Sequence, residues 1–479
     1  MEKAALRCYI CFVSTAPRAQ RLLLAISVGL AALSLTLCTN PTFIEFSRYV
    51  GPSAIRPAGF DSDLQWNMEM INAPGAWAIV ADTVPVFQTE ERTIVAVIDT
   101  QVSEHHDLTG KIVDRYDIAP SGGPNGNGLG REHGTHVTGT IVAEPQDYRD
   151  FGIESVGSRY VDVLSIRALR DNGSGFTDDV IAAIDHAAAF VHGATNRPVS
   201  VINLSLGGGS PDAGLYAAIE RAVAGGITVV AAAGNDGREG MIVPAYFDNT
   251  IAVGSIDRSA ERSSFSHFGT GLDFVAPGSW VLSTVGDTSY AEAPGTSMAT
   301  PHVAGVAALL YAVEPGLNQA AVYSILRATA RDLGAPGWDK YYGHGLVDAQ
   351  AALEYLVNLR RRIPRAPMGQ EPGGGSGGVR INVAELSGAQ LPPPEAEIDT
   401  TTLIVRFADG TDSADPEQLQ AFADAVADRV GPATVRAVGT DTAVVELLAG
   451  QSVIDALQQL AGVTGVQFSQ PNYVYRAVW

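Results

Sequence analysis

Continuously apolar runs alternate with amphipathic stretches along the middle of the chain. The runs are typical of strands buried on both faces, and they cover residues 93–98, 162–169, 199–206, 227–233 and 250–256. The stretches at 178–194 and 212–226 begin with aspartate and carry glycine at or near the end, as helices do. This alternation predicts an α/β fold for residues 59–358, with a mostly parallel sheet and helices on both faces.

A second, smaller pattern follows a change in composition. Residues 359–398 are rich in arginine, proline and glycine and lack apolar periodicity, which predicts a flexible linker. Residues 399–479 then predict strand, helix, strand, strand, helix and strand, which is the ferredoxin-like α+β order. The predicted elements cover 401–407, 416–430, 433–439, 442–448, 451–462 and 465–479.

The amino-terminal segment has a basic start followed by the apolar run 22–37, which is the pattern of an export signal. Residues 1–38 are therefore predicted to be an export signal or an uncleaved membrane anchor, and 39–58 a short lead-in. Cys38 follows the run, but Leu37 stands where a lipoprotein signal has a small residue, so lipidation is not expected. The protein is predicted to be exported, to the extracellular space or the periplasm.

Charge and cysteine content narrow the function. A formal net charge of −21 argues against nucleic acid and anionic membrane surfaces as partners. Contact with a membrane is expected only through the amino-terminal segment, if it stays uncleaved. The three cysteines, Cys8, Cys11 and Cys38, all lie in that segment, so no thiol or disulfide chemistry is expected in the body of the protein.

Four polar residues stand where this fold brings ligands together. Ser297 lies in the segment PGTSMATPHVAG, residues 294–305, which predicts a helix that starts close to Ser297 with Pro301 in its first turn. Asp99 and Asn235 follow apolar runs, at the carboxyl ends of strands where α/β folds bind ligands. His133 begins a helix-compatible stretch, REHGTHVTGT, that also holds His136. The bland alternative for Ser297 is an ordinary helix cap.

These residue types suit acyl transfer. A serine hydroxyl needs a base, histidine can take and return the proton, and a carboxylate can orient the imidazole. An asparagine amide can stabilise the developing oxyanion. A zinc site is not expected because HExxH is absent, and GTSMA is not the GxSxG motif of α/β-hydrolases. The residues alone do not decide between His133 and His136.

The order of motifs resembles the subtilisin family of serine proteases. VIDT, HGTHVTGT, SLGG, AAAGN, VAPG and GTSMATPHVAG occur in family order within residues 59–358. The resemblance implies a serine endopeptidase that acts on proteins or peptides without a catalytic cofactor. It implies a triad of Asp99, His133 and Ser297, with Asn235 as oxyanion donor and His136 as a structural residue. A catalytically inactive peptide binder would need a lost triad member, and none is lost.

The resemblance also implies how a substrate is held. Two extended edges would bind it as an added strand; they are formed by Ser205, Leu206 and Gly207 and by Gly173, Ser174 and Gly175. Ala232 and Gly234 would wall a pocket for a large apolar side chain. Asp107 matches a position that binds calcium in some members, so structural calcium is a further expectation.

Residues 399–479 are similar to the prodomain that precedes the catalytic domain in this family and acts as chaperone and inhibitor. We expect this domain to inhibit its own chain in cis. Its tail would lie in the substrate cleft, with the carboxylate of Trp479 resembling a cleaved product; the tail residues are Tyr475, Arg476, Ala477, Val478 and Trp479. The alternative is an unrelated accessory module, since the ferredoxin-like fold hosts many functions.

Overall fold

The computed structural model describes most of the chain from residue 48 onward. The described residues are 48–50, 63–84, 92–119, 129–145, 152–362, 398–407, 415–438, 442–448, 451, 453–460 and 466–477. They all fall within one compact unit that begins at Arg48. The predicted export signal or anchor, 1–38, lies outside the described residues. We call residues 63–362 the α/β part and residues 398–477 the C-terminal part.

Strands and helices alternate through the α/β part and again through the C-terminal part. The strands are β1 (Arg48–Val50), β2 (Thr93–Asp99), β3 (Ile112–Asp117), β4 (Val161–Arg167), β5 (Ser174–Phe176), β6 (Val191–His192), β7 (Arg197–Leu204), β8 (Leu206–Gly208), β9 (Thr228–Ala232), β10 (Ile251–Ile256), β11 (Phe274–Pro277), β12 (Val281–Val285), β13 (Ser289–Ala293), β14 (Ile398–Phe407), β15 (Ala433–Val438), β16 (Thr442–Leu447) and β17 (Val466–Ala477). The helices are α1 (Trp66–Met70), α2 (Ala73–Thr83), α3 (Leu129–Val142), α4 (Thr177–Ala189), α5 (Ala213–Ala224), α6 (Thr296–Val313), α7 (Gln319–Thr329), α8 (Ala349–Arg362), α9 (Pro416–Val430) and α10 (Val453–Leu460).

The predicted parallel sheet is confirmed. Its strands run in the order β11, β10, β9, β7, β2, β4 and β3, and each neighbouring pair is parallel. Every residue of β2, β4, β9 and β10 is buried, which explains why these strands read as continuous apolar runs. Beside this sheet, the lead-in strand β1 and the hairpin β12–β13 form a small antiparallel sheet.

Several predicted boundaries differ from the structure, and two of the differences have a clear cause in the contacts. The helix predicted for 178–194 ends at Ala189, because the chain then forms β6, which pairs antiparallel with β7. Residues 359–362, predicted as the start of the linker, belong to α8. Arg360 holds its last turn: Nη1 donates to the Val313 carbonyl at 2.7 Å, and Nε lies 3.2 Å from Glu314. The rest of that linker lies outside the described residues.

Helix α6 crosses the centre of the α/β part. Among the described residues it is long and apolar enough to span a membrane, but 94% of that stretch is buried inside the protein. It is therefore a core helix, and it packs against β2, β7, β9 and β10.

The C-terminal part has the predicted order of six elements, β14, α9, β15, β16, α10 and β17. Its strands pair antiparallel in the order β15, β16, β14 and β17. Leu403, Val405, Ala443 and Val445 form a buried cluster with residues of α9 and α10. Alternate residues of a strand face opposite sides, and Ile404 and Val444 are also buried, in the hydrophobic core of the α/β part.

Candidate active site

Asp99 lies at the carboxyl end of β2, near the middle of the central sheet. Its side chain is fully buried, and the Thr100 N–H donates to Asp99 Oδ1 at 2.6 Å. A carboxylate removed from water needs such donors. The end of the strand therefore holds Asp99 in one orientation.

His133 lies on α3 and faces Asp99. Its Nδ1 is 2.7 Å from Asp99 Oδ1 and 2.9 Å from Oδ2, and both side chains are buried. The residue that follows explains the close approach of helix and strand. The Gly134 N–H donates to Thr100 Oγ1 at 2.9 Å, and a Cβ at Gly134 would lie 2.4 Å from the Thr100 carbonyl oxygen. Only glycine fits there without movement of the backbone.

Ser297 is the second residue of α6, so the prediction of a helix start at this serine is confirmed. The preceding Gly295 has φ 151°, a conformation that favours glycine. Ser297 Oγ donates to the Ser205 carbonyl oxygen at 2.9 Å. Ser297 thus combines a hydroxyl with the amino-terminal end of a helix, where a developing negative charge is stabilised.

Pro301 lies in the second turn of α6, so its predicted place in the first turn is wrong. At this position it cannot supply the usual N–H bond to the carbonyl four residues earlier, which belongs to Ser297. The Ser205 hydroxyl donates to that carbonyl instead, at 2.9 Å. Asn203 Nδ2 donates in turn to Ser205 Oγ at 3.0 Å. Ser205 is therefore joined to both the side chain and the backbone of Ser297.

Asn235 follows β9 and contacts the residue before Ser297. Its Oδ1 accepts from Thr296 N and from Thr296 Oγ1, each at 2.9 Å. Because the amide oxygen is engaged on this side, the orientation of the side-chain NH₂ group is fixed. The amide is thus a donor held beside the start of α6.

Two further buried histidines, His136 and His302, lie against backbone carbonyl oxygens. His136 Nε2 lies 3.0 Å from the carbonyl oxygens of Val281 and Ala291, and burial lowers the pKa of this imidazole to about 3. His302 Nδ1 lies 2.8 Å from the Met298 carbonyl oxygen, and burial lowers its pKa to about 4. Both rings are therefore neutral at physiological pH. Of the two histidines in the HGTH segment, His133 is the one whose ring is placed against the Asp99 carboxylate.

Comparison with known proteins agrees with the predicted family. Residues 90–345 match the subtilase family. The chain is 37% identical over 295 residues to thermitase of Thermoactinomyces vulgaris, covering 61% of this chain and 97% of thermitase. It is 39% identical over 258 residues to subtilisin Savinase of Lederbergia lenta, covering 54% of this chain and 89% of that protein. This chain belongs to the subtilase family. It is a serine endopeptidase, and the fold class and family predicted from the motifs are confirmed.

In this subtilase the two predicted substrate edges face each other across a strand of the chain itself. β5 carries Ser174 and Gly175, with Gly173 just before it, and β8 begins at Leu206 immediately after Ser205. β17 pairs antiparallel with both edges. The edge formed by Ser205, Leu206 and Gly207 contacts Ser297 at its first residue, because the Ser205 carbonyl oxygen accepts from the Ser297 hydroxyl.

The register of β17 is defined on both sides. Tyr475 pairs with Gly175 and Gly208, and Arg476 pairs with Ser174 and Gly207. Ala477 pairs with Leu206, and its N–H donates to the Gly173 carbonyl oxygen at 2.7 Å. Val478 and Trp479, the last two residues of the predicted tail, lie outside the described residues.

Neighbouring side chains at the end of β17 differ in burial. Tyr475 is fully buried and belongs to the hydrophobic core of the α/β part, whereas Arg476 is exposed. Burial of a tyrosine of this size removes a large apolar area from water. Tyr475 is therefore the main apolar anchor of the strand among the described residues.

The two small residues predicted to wall a pocket lie at the end of β9. Ala232 is fully buried. Gly234 has φ 122°, and a Cβ there would lie 2.8 Å from the His267 ring. The Gly234 position therefore favours glycine for its conformation and leaves no room for a side chain.

The residues around Asp107 do not fit a calcium ion. Asp107 Oδ2 accepts from Ile153 N at 3.0 Å and from the Tyr290 hydroxyl at 2.8 Å, and Oδ1 lies 3.2 Å from His106 Nε2. Calcium takes six to eight oxygen ligands, whereas Oδ2 of this buried carboxylate already accepts two hydrogen bonds and the group beside Oδ1 is an imidazole nitrogen. Both ring nitrogens of neighbouring His105 are engaged, with Asp107 N and the Ser289 carbonyl, each at 3.1 Å.

Sequence reasoning missed the supporting contacts of Ser297. Ser205 was predicted only as an edge residue, and Thr296 was not singled out. Both act through contacts between residues 61 to 92 positions apart. The missing donor of Pro301 was the available signal, because it leaves the Ser297 carbonyl in need of a partner from outside the helix.

Proposed function

We propose that the protein is a self-inhibited serine endopeptidase in which Ser297 attacks the peptide carbonyl and the C-terminal part occupies the substrate groove. The observation that carries the proposal is the pairing of β17 with both predicted substrate edges. A peptide held there would run past Ser205, whose carbonyl accepts from the Ser297 hydroxyl. An enzyme that binds peptides as an added strand is inhibited when its own chain forms that strand.

In the proposed reaction His133 is the base. Its Nδ1 is directed at Asp99, so Nε2 is the nitrogen that takes the proton of Ser297 as the oxygen attacks. Asp99 keeps the ring in this orientation and stabilises the imidazolium that forms. His133 then gives the proton to the leaving amine, and water attacks the acyl-enzyme by the same route.

The oxyanion is the second element of the proposed chemistry. The Ser297 N–H lies in the first turn of α6, where backbone donors and the helix dipole favour negative charge. The Asn235 amide, oriented by Thr296, supplies a side-chain donor. Loss of one such donor raises the barrier by about 3 to 4 kcal/mol.

We also propose a preference for an apolar residue immediately before the cleaved bond. Ala232 is small and buried, and Gly234 has no side chain. The small Ala232 side chain would leave space for a large apolar group beside Ser297, with the Gly234 backbone, backed by the His267 ring, as the opposite wall. Burial of such a side chain contributes about 1.5 to 3 kcal/mol to binding.

The triad is tested with three single variants in a chain that lacks residues 474–479. Ser297→Ala and His133→Ala are each expected to lower kcat about 10⁴-fold or more, and Ser297→Ala should abolish labelling by a fluorophosphonate probe. His136→Ala should destabilise the fold because its ring joins the carbonyls of β12 and β13. Unchanged labelling of Ser297→Ala would overturn the assignment.

Self-inhibition is tested by the truncation itself. Removal of 474–479 should raise kcat/KM for a short peptide at least about tenfold, which corresponds to about 1.4 kcal/mol of lost competition. The matched control is Arg429→Gln, a change on the exposed face of α9. Equal activity of the intact and truncated chains would favour the accessory-module alternative.

We propose export on the basis of the amino-terminal pattern, a basic start before the apolar run 22–37. An intact-mass measurement on the protein recovered outside the cytoplasm tests this proposal. A mass lacking about the first 38 residues would support a cleaved signal. A full-length mass in the membrane fraction would indicate an anchor.

A further inference from the structure

Among the described residues, the surface joining the C-terminal part to the α/β part contains a buried polar contact centred on Asp178. Asp178 is the second residue of α4 and is 4% exposed. Its Oδ1 accepts from Asn472 Nδ2 at 2.8 Å, and its N–H donates to Asn472 Oδ1 at 3.3 Å. Arg436 pairs with its other carboxylate oxygen. Asn472 and Arg436 of the C-terminal part thus bond the Asp178 carboxylate of the α/β part.

Asn472 is positioned for this contact from its own side as well. It is 1% exposed, and its Nδ2 also lies within hydrogen-bond distance of Thr402 Oγ1, at 3.1 Å. Thr402 belongs to β14, the strand next to β17. The amide is therefore held by its own sheet while it meets the first turn of α4.

The charge around Asp178 makes the contact selective. Asp179 lies beside it, 3.4 Å from Arg170, and burial together with the Asp178 charge raises the pKa of Asp179 to about 6. A buried carboxylate in such a place destabilises the docked state unless a cation and a donor reach it. Arg436 supplies the cation and Asn472 the donor, so a surface without both groups would dock poorly.

The contact between Asp178 and Asn472 also lies close to the substrate groove in both segments of the chain that form it. β5 ends at Phe176, and α4 begins at the next residue. On the other chain segment Val474, which pairs with Phe176, is two residues after Asn472. A shift of β17 by one residue would move Asn472 away from Asp178 and turn Tyr475 out of its buried site, because side chains alternate with a period of two.

We infer that Asp178 is the residue by which the α/β part recognises its own C-terminal part, and that its contact with Asn472 and Arg436 sets the register in which β17 closes the groove. This inference rests on the proposed self-inhibition. In this inference Asp178 makes the docking of the C-terminal part selective. Burial of Tyr475, Ile404 and Val444 supplies the apolar part of the docking free energy. Opening of the groove then requires this contact to break together with the release of Tyr475.

The test compares full-length chains carrying Arg436→Gln, Asn472→Ala or Asp178→Asn. Each activity is divided by that of the same variant lacking residues 474–479, so that any effect on catalysis itself cancels. Hydrogen bonds to charged groups contribute about 1.5 to 3 kcal/mol. Arg436→Gln and Asn472→Ala are therefore expected to raise this ratio about tenfold or more. Arg429→Gln removes the same charge from an exposed position and should leave the ratio unchanged.

A double-variant cycle identifies the partner. Once Asp178→Asn is present, Arg436→Gln should raise the ratio by a much smaller factor than it does alone, because contacting residues are not additive. The inference is overturned if Arg436→Gln and Asn472→Ala leave the ratio at the parent value, or if their effects multiply independently of Asp178. In either case truncation would still raise activity, whereas failure of truncation would overturn the proposed self-inhibition itself.

Discussion

Around Ser297, buried polar side chains are held mainly by backbone atoms of distant segments. Ser205 both donates to and accepts from Ser297, and Asn235 accepts two bonds from Thr296. Each buried donor or acceptor left unsatisfied costs about 1 to 3 kcal/mol. The reacting groups are therefore fixed by contacts whose loss would also destabilise the fold.

The contacts of Asp107 predict that this residue stabilises the fold equally with and without calcium. Asp107→Asn should lower the melting temperature by the same amount in calcium and in EDTA, because Oδ2 of the carboxylate is taken up by the Ile153 N–H and the Tyr290 hydroxyl. Tyr290→Phe should cost about 1 kcal/mol in both conditions. Thermal unfolding of the four combinations of parent or Asp107→Asn with calcium or EDTA checks this, in a Ser297→Ala background that prevents autolysis. A calcium effect that disappears in Asp107→Asn would show that the carboxylate is a ligand.

Asp273 predicts how stability changes with pH. Burial raises the pKa of this carboxyl to about 6, although it accepts from Ala252 N and the Tyr323 hydroxyl. The folded state therefore binds the proton more tightly than the unfolded state. Its stabilising contribution is complete below about pH 4 and is lost as pH rises through about 6, by no more than about 3 kcal/mol.

Asp273→Asn should remove this pH dependence. Relative to the parent, the variant should gain stability between about pH 4 and about pH 6, the interval between the two pKa values, and little more above it. Urea unfolding in the Ser297→Ala background measures the change, and Asp287→Asn is a control at an exposed carboxylate. Parallel curves for parent and Asp273→Asn would contradict the assignment.

At the scale of elements, the start of α6 depends on a contact from outside the helix. Pro301 cannot donate to the Ser297 carbonyl, and the Ser205 hydroxyl does so instead. We expect Ser205→Ala to lower the free energy of unfolding by about 1 kcal/mol. Pro301→Ala should reduce that loss, because it returns the helical N–H to the same carbonyl.

A double-variant cycle with Ser205→Ala, Pro301→Ala and both changes together measures this coupling by urea unfolding. The expected interaction is favourable and about 0.5 kcal/mol or more, as found for groups that share a partner. Thr300→Ala is the neighbouring control, because its hydroxyl bonds the Thr296 carbonyl instead. Strictly additive losses would show that the two residues do not share the Ser297 carbonyl.

Elements were predictable from the sequence where burial imposes a pattern. The strands β2, β4 and β9 are buried along their whole length, so their apolar runs identified them. Pairing across long separations left no such signal. Asp178 and Asn472 are 294 positions apart, and each alone reads as an ordinary helix-start aspartate and a strand asparagine. The residues alone left His133 and His136 open, the family resemblance favoured His133, and the structure places the His133 ring 2.7 Å from Asp99.

At the scale of the whole molecule, the sheet of the C-terminal part packs against different elements on its two faces. Leu403 and Val405 face α9 and α10, whereas Ile404, between them, is buried in the core of the α/β part. A ferredoxin-like sheet with helices on one face leaves the other face to be covered. The α/β part covers it here, and the same sheet extends through β17 into the groove.

The proposed inhibition should therefore be intramolecular. Residues 363–397 join the two parts, and a linker of this kind gives an effective concentration in the millimolar range, far above any working enzyme concentration. The specific activity of the intact chain should stay constant on dilution from about 1 µM to about 10 nM.

A chain with a specific protease site inserted in 363–397 should show the same constant specific activity until it is cut. After cutting, the same dilution should raise its specific activity, because the released C-terminal part dissociates. If the uncut chain gains activity on dilution, the groove is closed by a second copy, and the in-cis arrangement is wrong.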